Sequence, residues 1–535
     1  MKWFCFATFA LILVPLARAD LLPSNKSIPE VVDHYIDAEL KKENITPAPI
    51  LSDASFLRRV TLDLVGRIPS LREQNEFLSE KSPDKRVKLI DRLLQSPAYV
   101  RHQIRELDRI LMEGTNGSVR EYLEIAIKEN RSWDRIFREL MLPDQKSKNQ
   151  KGAREFLRQR ARDVDLMTNQ ISVVFFGVNV SCAKCHDHPL VEDWKQDHFY
   201  GMKSFLNRTF DNGGFIGERD YGLVKFKTTK GKEHTAKLMF LTGSVVDDPR
   251  GMRSLTNKER QQEKKQLADY KRKKMPPPPP KFSARSQLVN LALKTDQRHF
   301  FSRSIVNRIW YRLFGRGLVM PLDQMHSANP ASHPELIQWL ARDLAENGYD
   351  LKRLIRGLVQ SNAYARSSRW EKGIPPSERY FAMGQVRALT PEQLGTSIQL
   401  ALQEPKRIAS LKDADFEKYI EQIEGRGRGL AREIEVPTED FQIGVGEALL
   451  FNNSENVQRD LLSEGGDRLI HRLKEVKNDS ELIDLMMRNI LCRPAAAEEK
   501  KILSSYLSQR KARRIEAIKQ MVWALVTGAE MRFNH

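Results

Sequence analysis

The sequence predicts a mainly α protein: two helical domains with a small β-hairpin insertion and a Pro/Lys-rich linker between them. Three observations predict it. Apolar residues recur at helical spacing behind N-capping signals in both halves of the chain. The period shortens toward two only between Asp220 and Val246. Five consecutive prolines, Pro276 to Pro280, follow a stretch of almost purely polar residues.

The first 19 residues stand apart from this scheme. Lys2 is a charged start, Trp3 to Leu16 is an apolar run, and Ala17-Arg18-Ala19 is a small-x-small cleavage site, the pattern of a secretory signal peptide. The run is short of the roughly 20 apolar residues that span a bilayer, and no later stretch approaches that length. The mature chain is therefore expected to have no transmembrane span and to reside in the periplasm, in the cell envelope or outside the cell. Cleavage removes two positive charges from a formal +18 and leaves +16. A field of that sign attracts polyanions. Export makes nucleic acid the weakest of these, so none is expected as a partner, and leaves anionic lipid or acidic polysaccharide and envelope polymers. Most of the basic residues nevertheless interleave with acids, as in Arg101 to Glu106, which is the pattern of solvated helix faces.

Residues 28–210 form the first helical domain. Val31, Val32, Tyr35, Ile36 and Leu40 share one helix face. Ser70 and Glu73 have capping-box spacing, and Ser82-Pro83-Asp84 predicts an N-cap with proline at the first helical position, ahead of Leu89, Ile90, Leu93 and Leu94. The helical pattern continues through Glu121 to Met141. Residues 211–256 are the β insertion, where Leu223–Phe226 and Leu238–Leu241 flank Thr229-Lys230-Gly231-Lys232 as the arms and turn of a hairpin. Residues 257–281 are the linker. Asn257 to Lys274 has no apolar face to bury, and the prolines are extended polyproline II, so this segment is expected to be mobile and protease-sensitive. In residues 282–535 helices resume, with capping boxes at Ser332-His333-Pro334-Glu335 and Thr390-Pro391-Glu392-Gln393.

One motif carries chemistry. Ser181-Cys182-Ala183-Lys184-Cys185-His186-Asp187-His188-Pro189 contains the Cys-x-x-Cys-His pattern of c-type haem attachment. Two thiols at this spacing reach the two vinyl groups of one porphyrin, and the following histidine is carried under the ring as an axial iron ligand. Chance would assemble the pattern from this composition in about 6 of 10,000 such chains. Cys182 and Cys185 are thus candidates for covalent haem c, with His186 axial. Two alternatives stay open: a tetrahedral zinc or iron site completed by two of His186, His188 and His198, or a disulfide between the cysteines. Cys5 leaves with the leader, and Cys492, at the end of an apolar helical stretch, reads as a buried inert thiol.

The sixth iron position has several candidates. His188, His198 and Met202 are near in sequence, while Met320, Met325 and His326 would come from the second domain. Asp323, Met325, His326, Ser332 and His333 share one Pro-punctuated loop, the second-best site candidate, although His333 reads first as a capping residue. We expect the second domain to pack that loop over Cys182 to Pro189 and shield it. A metal-dependent hydrolase using His186, His188 and Asp323 is a further reading. No Gly-rich phosphate loop, Gly-x-Ser-x-Gly elbow or zinc-protease helix is present in the sequence.

Cys182 to Pro189, followed by Trp194, Asp197, Phe199 and Tyr200, resembles the planctomycete cytochrome-like domain, a domain of unknown function. So do Phe56-Leu57-Arg58-Arg59-Val60-Thr61-Leu62-Asp63-Leu64-Val65-Gly66 and Leu93 to Tyr99. Ser304 to Trp310, Phe314 to Val319, Asn329 to Leu336 and the terminal Phe533-Asn534-His535 resemble the companion domain that usually follows it, also of unknown function. The chain departs from that pattern in two places. Val100 to Ile104 lacks a Trp-rich segment, and Gln324 stands where a second acid beside Asp323 is frequent. The expectation is an exported haem-c protein in electron transfer or haem redox chemistry, with a redox partner. The rival is a non-catalytic envelope protein, for which the resemblance implies an acidic or sulfated polysaccharide as partner, and the sequence leaves open whether the chain is an enzyme.

Overall fold

The computed structural model describes residues 21–189, 191–249, 255–434 and 461–535. The expected signal peptide lies outside the described residues. Helices dominate, and among the described residues the strands form only two-stranded antiparallel ribbons.

Local sequence explains most helix starts. Ser70 and Glu73 close a capping box at the helix Leu71–Ser79, and Thr390 and Gln393 close one at Pro391–Ala401. Two expected starts shift by one or two residues. Asp84, not Ser82, is the cap of Lys85–Gln95, with Pro83 outside the helix. His333 is the N-cap of Pro334–Glu346, because the Ser332 amide is committed to the Leu318 carbonyl at 2.7 Å.

The insertion keeps its turn but changes its partner strand. Gly231 has φ +76 and turns the chain between Lys225–Lys227 and Glu233–Thr235, which pair with each other. Leu238–Met239 pairs instead with Val245–Val246. The apolar runs at both ends suggested one long hairpin, whereas the polar Glu233-His234-Thr235 completes the first ribbon and the second apolar run opens a new one.

The segment expected to remain without structure is a helix, Asn257–Arg272, with no buried residue. Thr256 and Glu259 cap it, and Lys, Glu and Gln are strong helix formers. Asp269 pairs with Lys273 one turn on, at 2.7 Å. It docks through polar atoms: Tyr221 Oη donates to Glu263 at 2.5 Å and Asn212 Nδ2 to the Leu267 carbonyl at 3.0 Å. An all-polar helix held by ion pairs and side-chain hydrogen bonds needs no apolar stripe.

The apolar core does not divide at this helix. One cluster gathers residues from Ile28 to Ala382 on both sides of it. At its centre Phe175 meets Phe137 at 4.6 Å, Phe156 at 5.4 Å and Trp133 at 5.7 Å between ring centroids, and Phe301, from beyond the prolines, meets Phe137 at 5.0 Å. Each such ring contributes about 1.5–3 kcal/mol through burial, so the two sequence halves share their strongest packing. A second cluster spans Leu389 to Met531 and also takes Leu62 and Ile68.

The helix Asp53–Val65 joins the clusters. Every residue from Phe56 to Val65 is buried, Leu62 in the second cluster and Phe56, Leu57, Val60 and Leu64 in the first. Its charged residues are matched individually. Arg58 donates to the carbonyls of Glu530 and Phe533, at 3.1 and 3.2 Å, and Arg59 to those of Tyr364 and Arg366, both at 2.7 Å. Asp63 accepts from Arg387 through both oxygens at 2.8 Å, from Tyr364 Oη at 2.7 Å and from Asn534 Nδ2 at 2.9 Å.

Candidate functional site

The Cys-x-x-Cys-His motif follows the helix Val164–Phe176, which ends at Gly177 with φ +67. Asn169 Oδ1 accepts from the Val180 amide at 3.0 Å, and Asn179 Oδ1 accepts from the Ser181 amide and hydroxyl at 3.1 and 2.6 Å. These bonds aim the chain into a short 3-10 turn, Ser181–Lys184, with Ala183 buried beneath it. Cys182 and Cys185 are exposed, free thiols.

The next helix, Gln196–Leu206, clamps the turn from below. Gln196 Nε2 donates to the Cys185 carbonyl at 3.1 Å and Tyr200 Oη to the Lys184 carbonyl at 3.0 Å. The Gln196 amide donates to Asp187 Oδ1 at 2.9 Å, and the His188 amide to the Trp194 carbonyl at 2.8 Å. Tyr200 is itself stacked on Phe226 of the hairpin, with centroids 4.2 Å apart. Lys184 and Lys203 share Asp165, at 2.8 and 2.5 Å, and hold its carboxyl below the usual range against the opposing effect of burial. Backbone and side-chain bonds thus preorganise the loop around the two thiols.

His186 is exposed, and its Nδ1 lies 2.7 Å from the Asp187 carbonyl oxygen. A carbonyl can only accept, so this contact places the proton on Nδ1 and leaves the Nε2 lone pair for a metal, the arrangement usual for ligating histidines. For haem c, the residues present therefore fit the attachment half of the site: two accessible thiols and one axial nitrogen.

Among the other candidates, Met202 is fully buried, and Met325 is 6% exposed with its sulfur 2.9 Å from where a Cβ on Gly177 would lie. Both sulfurs pack in the core. His198 is partly buried, its ring edge-on to Trp194 at 5.7 Å and its Nδ1 accepting from the Lys195 amide at 3.1 Å. His333 is 4% exposed against Phe381, bonded to Ser332 Oγ, and burial holds its imidazole down at about 4. Its charged neighbours are Glu39 and Arg379, so it belongs to a different part of the fold.

The loop from Asp323 does reach the motif, at its flanks. Met325 donates its amide to the Gly177 carbonyl at 3.0 Å, and Asn179 donates its amide to the Asp323 carbonyl at 2.8 Å and its side chain to Asp323 Oδ2 at 2.9 Å. On the far flank Ser327 donates its amide and hydroxyl to the two oxygens of Asp193, at 2.6 and 2.8 Å. His326 sits close enough to His188 and Asp193 to feel their charge, although burial is the larger influence lowering its imidazole. The expected juxtaposition is present, but the expected shielding is not: Cys182, Cys185 and His186 stay open to solvent. Among the described residues no three His, Cys, Asp or Glu side chains are arranged to hold a metal ion. Asp323 is bound to Asn179, which disfavours a hydrolytic triad with His186 and His188.

Sequence reasoning missed Asn179, Asp165, Asp193 and Gln196. None of the four falls among the residues that carry the motif or the family resemblance.

Comparison with known families follows the same division. Residues 31–211 match the family model PSCyt2, a protein of unknown function (DUF1549), and residues 284–443 match PSD1, likewise a protein of unknown function (DUF1553). The chain carries the PSCyt2–PSD1 pair. The motif turn and its clamping helix lie inside the PSCyt2 match, and the loop from Asp323 to Ser327 inside the PSD1 match, so each part supplies one side of the candidate site. The exposed helix and the ribbons Lys225–Lys227/Glu233–Thr235 and Leu238–Met239/Val245–Val246 fall between the two matches. No curated protein and no solved structure matches the chain.

Proposed function

We propose that this chain is an exported haem-c protein acting in haem redox chemistry, with Cys182 and Cys185 as the thioether positions and His186 Nε2 as the axial ligand. One observation carries the reading: both thiols stand free and exposed on a turn whose carbonyls are tied down, beside an imidazole whose Nδ1 is bonded to the Asp187 carbonyl. Haem attached there supplies a redox-active iron. The protein's own residues hold the turn, fix the imidazole tautomer and leave the attachment face accessible.

The burial of Met202 and Met325 sharpens the proposal. Met320, His188, His198 and His326 are only partly buried and are the residues that would remain able to supply a second ligand to a bound haem.

The test is expression in a host competent for haem-c maturation, followed by intact mass and a pyridine haemochrome spectrum. We expect one haem per chain, lost in the Cys182→Ser/Cys185→Ser double variant. A chain at its apoprotein mass with no Soret absorbance overturns the reading.

A further inference from the structure

A second site lies away from the motif, on the seam between the two apolar clusters. A cavity of about 870 Å³ opens between the helix Pro97–Leu111, the helix His299–Phe314, the segment Arg387 to Gln393 and the end of Asp413–Ala431. Six arginines line it, Arg109, Arg120, Arg312, Arg387, Arg428 and Arg432, against three carboxylates, Asp63, Glu106 and Glu392. His102 in its wall is buried, and that burial keeps the imidazole neutral down to about 3.

Two of the carboxylates are already neutralised. Asp63 takes Arg387 through two bonds of 2.8 Å, and Glu106 takes Arg109 at 2.7 Å. Arg120 is paired outside the cavity set, with Asp108 at 2.9 Å. Arg312 is different. Its Nη1 donates to Gln103 Oε1 at 2.9 Å, while its Nε and Nη2 are buried with no hydrogen-bond partner among the described residues. Buried donors without acceptors are costly, and a guanidinium edge presenting Nε and one Nη is the fork that grips an oxyanion. Across the cleft Arg428 and Arg432 are exposed and form no ion pair among the described residues. The helix Pro391–Ala401 also presents its N-terminal end to the cavity, which adds to the positive field.

We propose that this cleft binds an organic anion carrying at least two carboxylate, sulfate or phosphate groups, one held by the free edge of Arg312 and another by Arg428 and Arg432. A single inorganic oxyanion would fill little of the cavity, whose volume falls within the range of small-molecule sites. Because the arginines come from opposite walls, such a ligand also ties the first apolar cluster to the second. The proposal is independent of haem attachment, and its test uses the full mature chain with or without haem.

Isothermal titration calorimetry with citrate, sucrose octasulfate and inositol hexakisphosphate separates the three oxyanion chemistries. We expect at least one to bind with one-to-one stoichiometry. The Arg428→Gln/Arg432→Gln variant, altered only at exposed positions, should bind at least about tenfold more weakly with an unchanged melting temperature. Arg312→Lys, which keeps the charge but loses the fork, should weaken binding as well. A control of equal charge loss at the distant hairpin turn, Lys230→Gln/Lys232→Gln, should leave affinity unchanged. The proposal is overturned if none of the three probes binds at millimolar concentration, if the cleft variants bind as the parent does, or if the control weakens binding equally.

Discussion

Removing the Asp63 carboxylate should separate the two halves of the core, and its cost can be worked from the contacts. Asp63→Ala leaves Arg387 without its two 2.8 Å bonds and strands the Tyr364 hydroxyl and the Asn534 amide. Deleting one partner of a buried ion pair costs about 3–5 kcal/mol. The Arg387 side chain is 17% exposed and can recover some hydration, which places the cost near the lower end, about 3 kcal/mol. For cooperative units of 150–250 residues this lowers the melting temperature by about 6–12 °C. The assay is thermal and urea denaturation followed by circular dichroism, on Asp63→Ala, Arg387→Ala and the double variant. We expect a coupling energy of about 2 kcal/mol between the two positions, and a single parental transition that splits or broadens in Asp63→Ala. Additive single-variant effects, with coupling below about 0.5 kcal/mol, would refute the claim that this pair fastens the clusters together.

Three further outcomes are expected. His102 keeps its imidazole near 3 when folded, against an ordinary 6.5, because burial penalises the charged form. Between those values the unfolded chain binds the extra proton, so stability is full above pH 6.5 and falls as pH drops toward 3; His102→Gln should flatten that slope in pH-dependent urea titrations. Trypsin should cut within residues 255–281, where the helix has no buried residue, yet the fragments should co-elute on gel filtration because Phe301 and Phe137 belong to one cluster; separation of the pieces without denaturant would contradict the shared core. In the apoprotein, Cys182 and Cys185 should alkylate rapidly at pH 8 while Cys492, buried and pushed up to about 11 by that burial, labels only on unfolding, as peptide mass mapping would show.

Much of the fold was legible because its cues are local. Capping boxes at Ser70 and Thr390 and the face of Val31, Val32, Ile36 and Leu40 act within a few residues, and the structure repeats them. The polar helix Asn257–Arg272 carries no apolar stripe to announce it, whereas Thr256, Glu259 and its ion pairs stabilise it without one. The shared core was hidden for another reason. Nothing in the sequence says that Phe301 lies 5.0 Å from Phe137 across some 160 residues. At the candidate site the three reactive residues were visible as a contiguous motif. The groups that aim them, Asn179, Asp165 and Gln196, are common polar residues whose role exists only in three dimensions.

The quoted family stretches acquire separate physical meanings from this geometry. The run from Phe56 to Val65 is buried along its whole length between two clusters, so almost any change of volume or charge there is costly. That accounts for the run by stability alone. The loop from Asp323 to Ser327 is a different case, since Asp323 and Ser327 are only partly buried or exposed and yet bond both flanks of the motif turn, at Asn179 and Asp193. Two anchors on either side of three exposed reactive groups restrict the turn without covering it. The PSD1-matched part therefore acts on the candidate site as a brace, not as a lid. A brace of this kind predicts that Asp323→Asn or Asp193→Asn loosens the turn while leaving the thiols in place. Faster hydrogen exchange at residues 178–188 with an unchanged melting temperature is the expected signature. Unchanged exchange there would mean that the helix Gln196–Leu206 holds the turn unaided.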